Sequence, residues 1–240
     1  MQRFHMQGHA EIREILSPFG EGLMEDLFAS LRPRTVLTEG AVWLPGFALP
    51  DASALHQAIT DVSVIAPFRH FHTRMGPMSA AMTSCGACGW TADPSGYRYT
   101  RTDPQTGLFW PAMPDALRHL AVRAAAEAGY DGFDPSSCLI NRYAPGAGMG
   151  LHQDRDEGRP EAPIVSVSLG VPARFSFGGL TRNEPKRIIE LLDGDVVVWG
   201  GASRFAWHGV SRIRETFHPQ TGAMRYNLTF RAINVALFRP

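Results

Sequence analysis

Residues 139–157 read LINRYAPGAGMGLHQDRDE. A β-rich lead-in, Leu139-Ile140-Asn141-Arg142-Tyr143, runs into a Pro/Gly-rich bend, and His152 and Asp154 follow two residues apart. In an extended chain, positions i and i+2 point to the same side. An imidazole and a carboxylate at this spacing can converge on one small object, for which a metal ion is the obvious candidate. A single His-x-Asp carries little weight, because chance supplies roughly half of one such pair in a chain of this composition. The surrounding strands decide what the stretch is for.

Downstream, strand follows strand. Ile164–Leu169 alternates, with Ser166 and Ser168 on one face and Val165, Val167 and Leu169 on the other. Arg174–Phe177, Arg187–Leu192, Asp195–Trp199, Phe205–His208 and Met224–Ala232 continue the series, with Gly-rich turns between them. Short strands at this spacing, without intervening helices, predict a sandwich or a jelly-roll barrel. The interior of such a barrel suits a metal held by residues from different strands. His208, after Phe205-Ala206-Trp207 and before Gly209, is the best-placed third ligand. Two His and one carboxylate make the facial arrangement that leaves three positions open on iron.

The last strand reads Arg225-Tyr226-Asn227-Leu228-Thr229-Phe230-Arg231. Period two places Arg225, Asn227, Thr229 and Arg231 on one face and an apolar set on the other. Two arginines inside a barrel are costly without anionic partners, and a bound dicarboxylate would satisfy them through bidentate contacts.

Upstream, Ala41–Leu44 reads as a strand closed by Pro45-Gly46, and Asp51 as the cap of a helix carrying Leu55, Ile59 and Val62. A second helix runs from about Pro114 to Ala128, with Leu117, Leu120, Ala121 and Ala124 on one face and Gly129 beyond its end. Both are expected to pack outside the β core. Between them, residues 67–111 interleave rings and cations: Phe68, Arg69, His70, Phe71, His72 and Arg74, then Trp90, Tyr97, Arg98, Tyr99, Arg101 and Trp110. Such a texture suits stacking on bases and contacts to phosphates, although a loop-rich cap with a shallow aromatic core would look the same.

The chain has 240 residues, with 23 basic and 23 acidic side chains, so bulk charge does not announce a nucleic-acid partner. Three cysteines suggest no complete disulfide framework, and the lone Cys85-x-x-Cys88 lacks the second ligand pair of a zinc ribbon. No apolar run approaches the ~18–20 residues of a membrane-spanning helix, and the N-terminus lacks a signal-peptide core. A cytoplasmic, reducing setting is expected. A single domain is expected too: an extension over residues 1–38 with a peripheral helix at Glu21–Leu31, a lid with supporting helices over 40–135, and a jelly-roll core over 136–240.

Taken together, Asn141-Arg142-Tyr143-x-Pro-Gly, His152-x-Asp154, His208 and Arg225-x-Asn227-x-Thr229-x-Arg231 resemble the iron(II)- and 2-oxoglutarate-dependent dioxygenases. More narrowly, the chain resembles the AlkB family of oxidative nucleic-acid demethylases, over about residues 40–231. The resemblance implies a double-stranded β-helix (jelly-roll, cupin-like) core with an N-terminal nucleotide-recognition lid. It implies Fe(II) on His152, Asp154 and His208, with O₂ as co-substrate and 2-oxoglutarate held by Asn141, Tyr143, Arg225, Asn227 and Arg231. Which arginine takes the distal carboxylate stays open. Trp90, Tyr97, Arg98, Tyr99, Asp156 and Arg182 match positions that contact the nucleotide. The expected reaction is oxidative demethylation of bases such as N1-methyladenine and N3-methylcytosine, releasing formaldehyde, succinate and CO₂. The expected partner of the monomeric protein is alkylated DNA, single-stranded by preference, with RNA an open alternative. The rival readings are a 2-oxoglutarate-dependent hydroxylase of a protein or small molecule, and a non-catalytic reader of methylated nucleic acid.

Overall fold

Alternation along the strands generates two antiparallel sheets that face one another. The computed structural model describes residues 32–155 and 158–237. In chain order these form β1 (Thr35–Thr38), β2 (Ala41–Leu44), α1 (Ala52–Ile65), β3 (His72–Thr73), β4 (Gly76–Pro77), β5 (Ala81–Gly86), β6 (Gly89–Asp93) and β7 (Gly96–Thr100). Then follow α2 (Asp115–Glu127), β8 (Ser137–Tyr143), β9 (Met149–His152), β10 (Ile164–Gly170), β11 (Ala173–Phe177), β12 (Arg187–Leu191), β13 (Val196–Trp199), β14 (His208–Val210) and β15 (Arg225–Arg231).

The larger sheet has the order β1-β2-β13-β10-β15-β8-β5, and the smaller β12-β11-β14-β9. This non-sequential order, with both sheets antiparallel throughout, is a jelly-roll, one of the two arrangements that the strand spacing predicts and the one that the family resemblance implies. β15 lies between β8 and β10, pairing Asn227 with Asn141 on one side and with Ser168 on the other. Its polar face therefore joins theirs in one row directed at the smaller sheet. The opposite face, with Ile140, Val165, Val167, Leu169, Leu228 and Phe230, packs against Leu55, Ile59 and Val62 of α1 and Leu117, Leu120 and Ala124 of α2. The helical periodicity of those six residues, all fully or almost fully buried, is what seats the helices there. Pro114 at the N-cap and Gly129 at φ 91°, just past the C-cap, delimit α2. No helix among the described residues is long and apolar enough to cross a membrane.

Several boundaries differ from the sequence reading. Residues 35–38 form the outer strand of the large sheet, so the fold begins inside the segment read as an extension. Asp195 anchors that edge: its carboxylate accepts from both Arg32 terminal nitrogens (2.5 and 3.0 Å), Trp43 Nε1 (3.1 Å) and the backbone N–H of Gly46 and Leu192. β2 and β5 also belong to the large sheet rather than to a lid. The strand expected at Phe205–His208 starts only at His208, because residues 201–203 form a 3-10 turn and Ala206 donates its N–H back to Ser203. The helix expected at Glu21–Leu31 lies outside the described residues.

Candidate active site

The bend in residues 144–148 returns the chain antiparallel to β14, so that His152 stands directly opposite His208 in the register. With Asp154, these side chains offer three ligand atoms within 4.8 Å of one another. His152 Nδ1 lies 2.9 Å from the Gly150 carbonyl, and His208 Nδ1 lies 2.9 Å from the Ala206 carbonyl. A carbonyl oxygen only accepts, so each Nδ1 carries the proton and each Nε2 presents its lone pair to the shared space. Burial, followed by the neighbouring His152, lowers the His208 pKa to about 4, which keeps its ring neutral and ready to ligate.

Asp154 completes the set. Burial alone would raise its pKa; the Arg231 guanidinium overcomes this and holds the carboxyl ionised. Arg231 donates Nε and Nη2 to Asp154 Oδ2 at 3.0 and 2.6 Å, leaving Oδ1 on the His152 side, 3.8 Å from His152 Nε2. Arg204, itself buried, donates to the Asp154 carbonyl (2.9 Å) and the Ala162 carbonyl (3.0 Å), fixing the loop that carries the carboxylate. Two imidazoles with Nε2 turned to the shared space and one oriented carboxylate fit a divalent metal with further positions open.

From this cluster a cavity runs inward between the sheets, lined by Asn141, Tyr143, Arg225, Asn227 and Arg231 among others. Arg225 is 1% exposed. Its Nη2 donates to Ser168 Oγ at 3.0 Å and its guanidinium lies 5.2 Å from the Tyr143 ring centre, yet its Nε and Nη1 have no partner. Trp199 Nε1 and Asn141 Oδ1 on the same walls are also without partners. Buried donors are rarely left so, and an orphaned guanidinium in a cavity that also holds an unpaired indole N–H asks for a carboxylate-bearing guest. Asn227 is committed to its neighbours, donating to Ser166 Oγ (2.8 Å) and the Val167 carbonyl (3.1 Å) and accepting from Thr229 (3.0 Å) and Asn141 (3.2 Å). Ser166 and Ser168 are further residues of this site: alternation sets them on one face of β10, and the structure turns that face inward.

On the other side of the metal cluster lies a second cavity of about 440 Å³, whose walls include His152, Asp154, Arg231, Trp90, Tyr97 and Arg182. Trp90 stacks on Tyr97 (5.5 Å between ring centres, 24° between planes) and meets Phe71 edge-on at 5.6 Å. Met75, Met78, Met82 and Met149 supply adaptable thioether surface to the same walls. Arg182 lies with its guanidinium 5.2 Å from the Trp207 ring. The β6–β7 hairpin separates the remaining lid residues. Tyr99 is buried beneath Trp90 against Cys88 and Ile233, and Arg98 points from the opposite face to pair with Asp93 at 2.5 Å. Neither lines the cavity, because period two along β7 turns Arg98 away and the register sends Tyr99 inward. Asp156 lies outside the described residues. The three cysteines are buried thiols; burial raises the Cys88 pKa to about 11, which makes it a poor nucleophile.

Residues 40–231 match the family profile described as the 2OG-Fe(II) oxygenase superfamily. The alpha-ketoglutarate-dependent dioxygenase AlkB of Escherichia coli (strain K12) is 54% identical over 210 residues, spanning 87% of this chain and 97% of that protein. An Arabidopsis thaliana protein named DNA N(6)-methyladenine demethylase ALKBH1C is 32% identical over 165 residues, 58% of this chain and 36% of that one. Among solved structures, that of OsALKBH1 superposes with a TM-score of 0.71 at 28% identity, covering 83% of this chain and 99% of that one.

Proposed function

The chain belongs to the AlkB family of iron(II)- and 2-oxoglutarate-dependent dioxygenases, and on that premise we propose that it oxidatively dealkylates bases in nucleic acid, N1-methyladenine and N3-methylcytosine in DNA above all. The observation that carries the reading is the buried Arg225 guanidinium with two unpartnered nitrogens, in the cavity that reaches the His152–Asp154–His208 cluster. A metal site alone fits many proteins. A metal site joined to a buried carboxylate receptor on one side and an aromatic-walled cavity on the other fits an oxygenase that uses a keto acid.

Fe(II) on the triad, with 2-oxoglutarate and O₂, supplies the oxidising power that hydroxylates an N-methyl group, forming succinate and CO₂ and releasing formaldehyde from the base. The protein's share is placement. His152 and His208, their tautomers set by Gly150 and Ala206, hold the metal with Asp154. Arg225 takes the distal carboxylate of 2-oxoglutarate, with Asn141 and Tyr143 beside it, whereas Arg231 serves the metal end by orienting Asp154. Asn227, held on four sides, keeps Asn141 in register with β15.

Trp90 and Tyr97 receive the target base, Arg182 borders its entrance, and Asp156 complements the positive charge of a methylated ring. A base must leave its stack to reach the metal, so an unpaired strand is favoured.

The test is formaldehyde and succinate release from N1-methyladenine and N3-methylcytosine placed in single- and double-stranded DNA and in RNA. Turnover on single strands in the order DNA, then RNA, above duplex supports the reading. No formaldehyde from any of them, with 2-oxoglutarate consumed on a peptide instead, would overturn it in favour of a protein hydroxylase.

A further inference from the structure

A third concavity, of about 250 Å³, opens on the surface where β11 meets the segment after β14, and it is lined by Arg174, Glu190, Arg212, Arg214, Glu215 and Thr216. Its arginines behave unlike most others in the structure. Arg32, Arg69, Arg98, Arg118, Arg123 and Arg231 each pair with an aspartate. Arg174, Arg212 and Arg214 are exposed, and among the described residues their guanidinium groups have neither an ion pair nor a hydrogen bond, although Glu190 stands opposite Arg174 in the strand register.

The segment that carries Arg212 and Arg214 is tied to the bend before β9. Ile213 exchanges backbone bonds with the 144–148 bend: its N–H donates to the Ala147 carbonyl and its carbonyl accepts from the Gly146 N–H, both at 2.8 Å. Its side chain is buried with Tyr143, Ala147 and Val171. Anchoring Ile213 inward turns Arg212 and Arg214, one residue to either side, outward. Phe217, three residues on, is 72% exposed.

The Arg212 segment also packs on the bend that leads into the active site. Gly148 packs so closely on the Arg212 segment that a Cβ there would stand 3.1 Å from Arg212 N. The Gly148 carbonyl accepts from Ser79 Oγ of the lid at 2.8 Å, and the next residue, Met149, lines both active-site cavities.

We propose that Arg174, Arg212 and Arg214 form a phosphate-contact surface that holds the nucleic-acid strand some nucleotides to one side of the target, with the exposed Phe217 ring offered to a base of that distal stretch. This rests on the nucleic-acid reading of the active site. Three arginines against two glutamates leave a net charge of +1 in the concavity. That is too little to hold an anionic membrane by charge density, but guanidinium forks can engage individual phosphates. An exposed ring three residues along the chain from Arg214 suits stacking on an unpaired base.

The experiment measures fluorescence anisotropy of a labelled, unmodified 20-nucleotide single strand over a salt series, with wild type and with the R174Q/R212Q/R214Q variant. Each phosphate contact on a single strand contributes about 0.7 to the slope of log K against log salt. Losing three should lower that slope by about 2 and weaken binding at low salt at least about tenfold. In turnover, KM for a methylated 20-mer should rise at unchanged kcat, while a methylated trinucleotide, too short to reach the patch, should behave as with wild type.

An unchanged slope and affinity would overturn the proposal, as would equal losses on trinucleotide and 20-mer, which mark a disturbed active site. Binding of the wild type to anionic vesicles but not to the strand would also overturn it. If no methylated nucleic acid is turned over at all, the functional reading fails separately, and the anisotropy comparison still decides the fate of the patch.

Discussion

Replacing Arg225 by Met tests the co-substrate site through two effects of opposite sign. Without a bound carboxylate, the wild-type guanidinium is buried with two nitrogens unsatisfied and one hydrogen bond, to Ser168. Burial, its largest influence, lowers the Arg225 pKa, as expected of a cation held away from water. Each unsatisfied buried donor costs about 1–3 kcal/mol, and the Ser168 bond returns about 1 kcal/mol. Methionine fills similar space without polar atoms. Arg225→Met should therefore stabilise the ligand-free protein by about 1–4 kcal/mol, the range seen when buried charges give way to apolar residues of similar size. In a chain of this length that raises Tm by several degrees, at about 2–4 °C per kcal/mol. The same substitution leaves the distal carboxylate of 2-oxoglutarate buried without its counter-ion, a loss of about 2–5 kcal/mol, or roughly 30-fold to several thousand-fold in Kd. Calorimetric melting of the ligand-free protein, and titration of 2-oxoglutarate into manganese-loaded protein under argon, read the two effects separately. A variant that melts several degrees lower and binds 2-oxoglutarate as wild type does would refute the reasoning and make Arg225 a structural residue.

Three further substitutions probe the metal, the base cavity and the lid. His152→Ala should abolish succinate formation while shifting stability by no more than about 1 kcal/mol, because the ring is half-exposed and holds metal rather than core; activity surviving with added iron would reject the ligand assignment. Trp90→Ala removes the ring between Tyr97 and Phe71. It should raise Kd for a methylated strand about tenfold or more, with substrate-free 2-oxoglutarate turnover retained, whereas equal losses in both would mark Trp90 as packing alone. Asp103 carries a pH signature. Burial would raise its pKa, but the Arg69 fork (2.5 and 2.6 Å) and the Gln105 N–H outweigh it, so its folded value lies below the unfolded value of about 3.9. The stabilisation is thus present above about pH 4 and is lost as pH falls through the folded value. Asp103→Asn should be less stable at pH 7 by about 3 kcal/mol, and in urea unfolding the gap to wild type should narrow steadily as pH falls below about 4; a gap that stays constant across that range would contradict this.

Local sequence carried a large part of the site because strand periodicity is a local property. Arg225, Asn227, Thr229 and Arg231 must share a face in any extended chain, and so must His152 and Asp154. The same rule sets Ser166 and Ser168 on one face of their strand and Val165, Val167 and Leu169 on the other, and only the packing of the sheets shows that the serine face meets the cavity and the apolar face meets the helices. The lid was less legible. Trp90, Tyr97 and Tyr99 look alike in sequence, and only the pairing of β6 with β7 shows that Tyr99 is buried while Tyr97 borders the cavity.

Alternation along the chain was enough to predict a sandwich or a jelly-roll barrel, since it follows from which face each side chain occupies, and the resemblance of the combined motifs to the dioxygenases supplied the kind of chemistry. Tertiary structure decided how the two arginines divide their work. β15 lies between β8 and β10, which brings Arg231 to Asp154 and leaves Arg225 beside Tyr143 and Ser168. It also decided that Thr35–Thr38 closes the edge of the large sheet, through an aspartate 163 residues away from Arg32. Both outcomes depend on contacts between segments far apart in the chain. The free energy of such contacts comes from burial and charge pairing that exist only once the sheets have closed, so no local pattern can encode them.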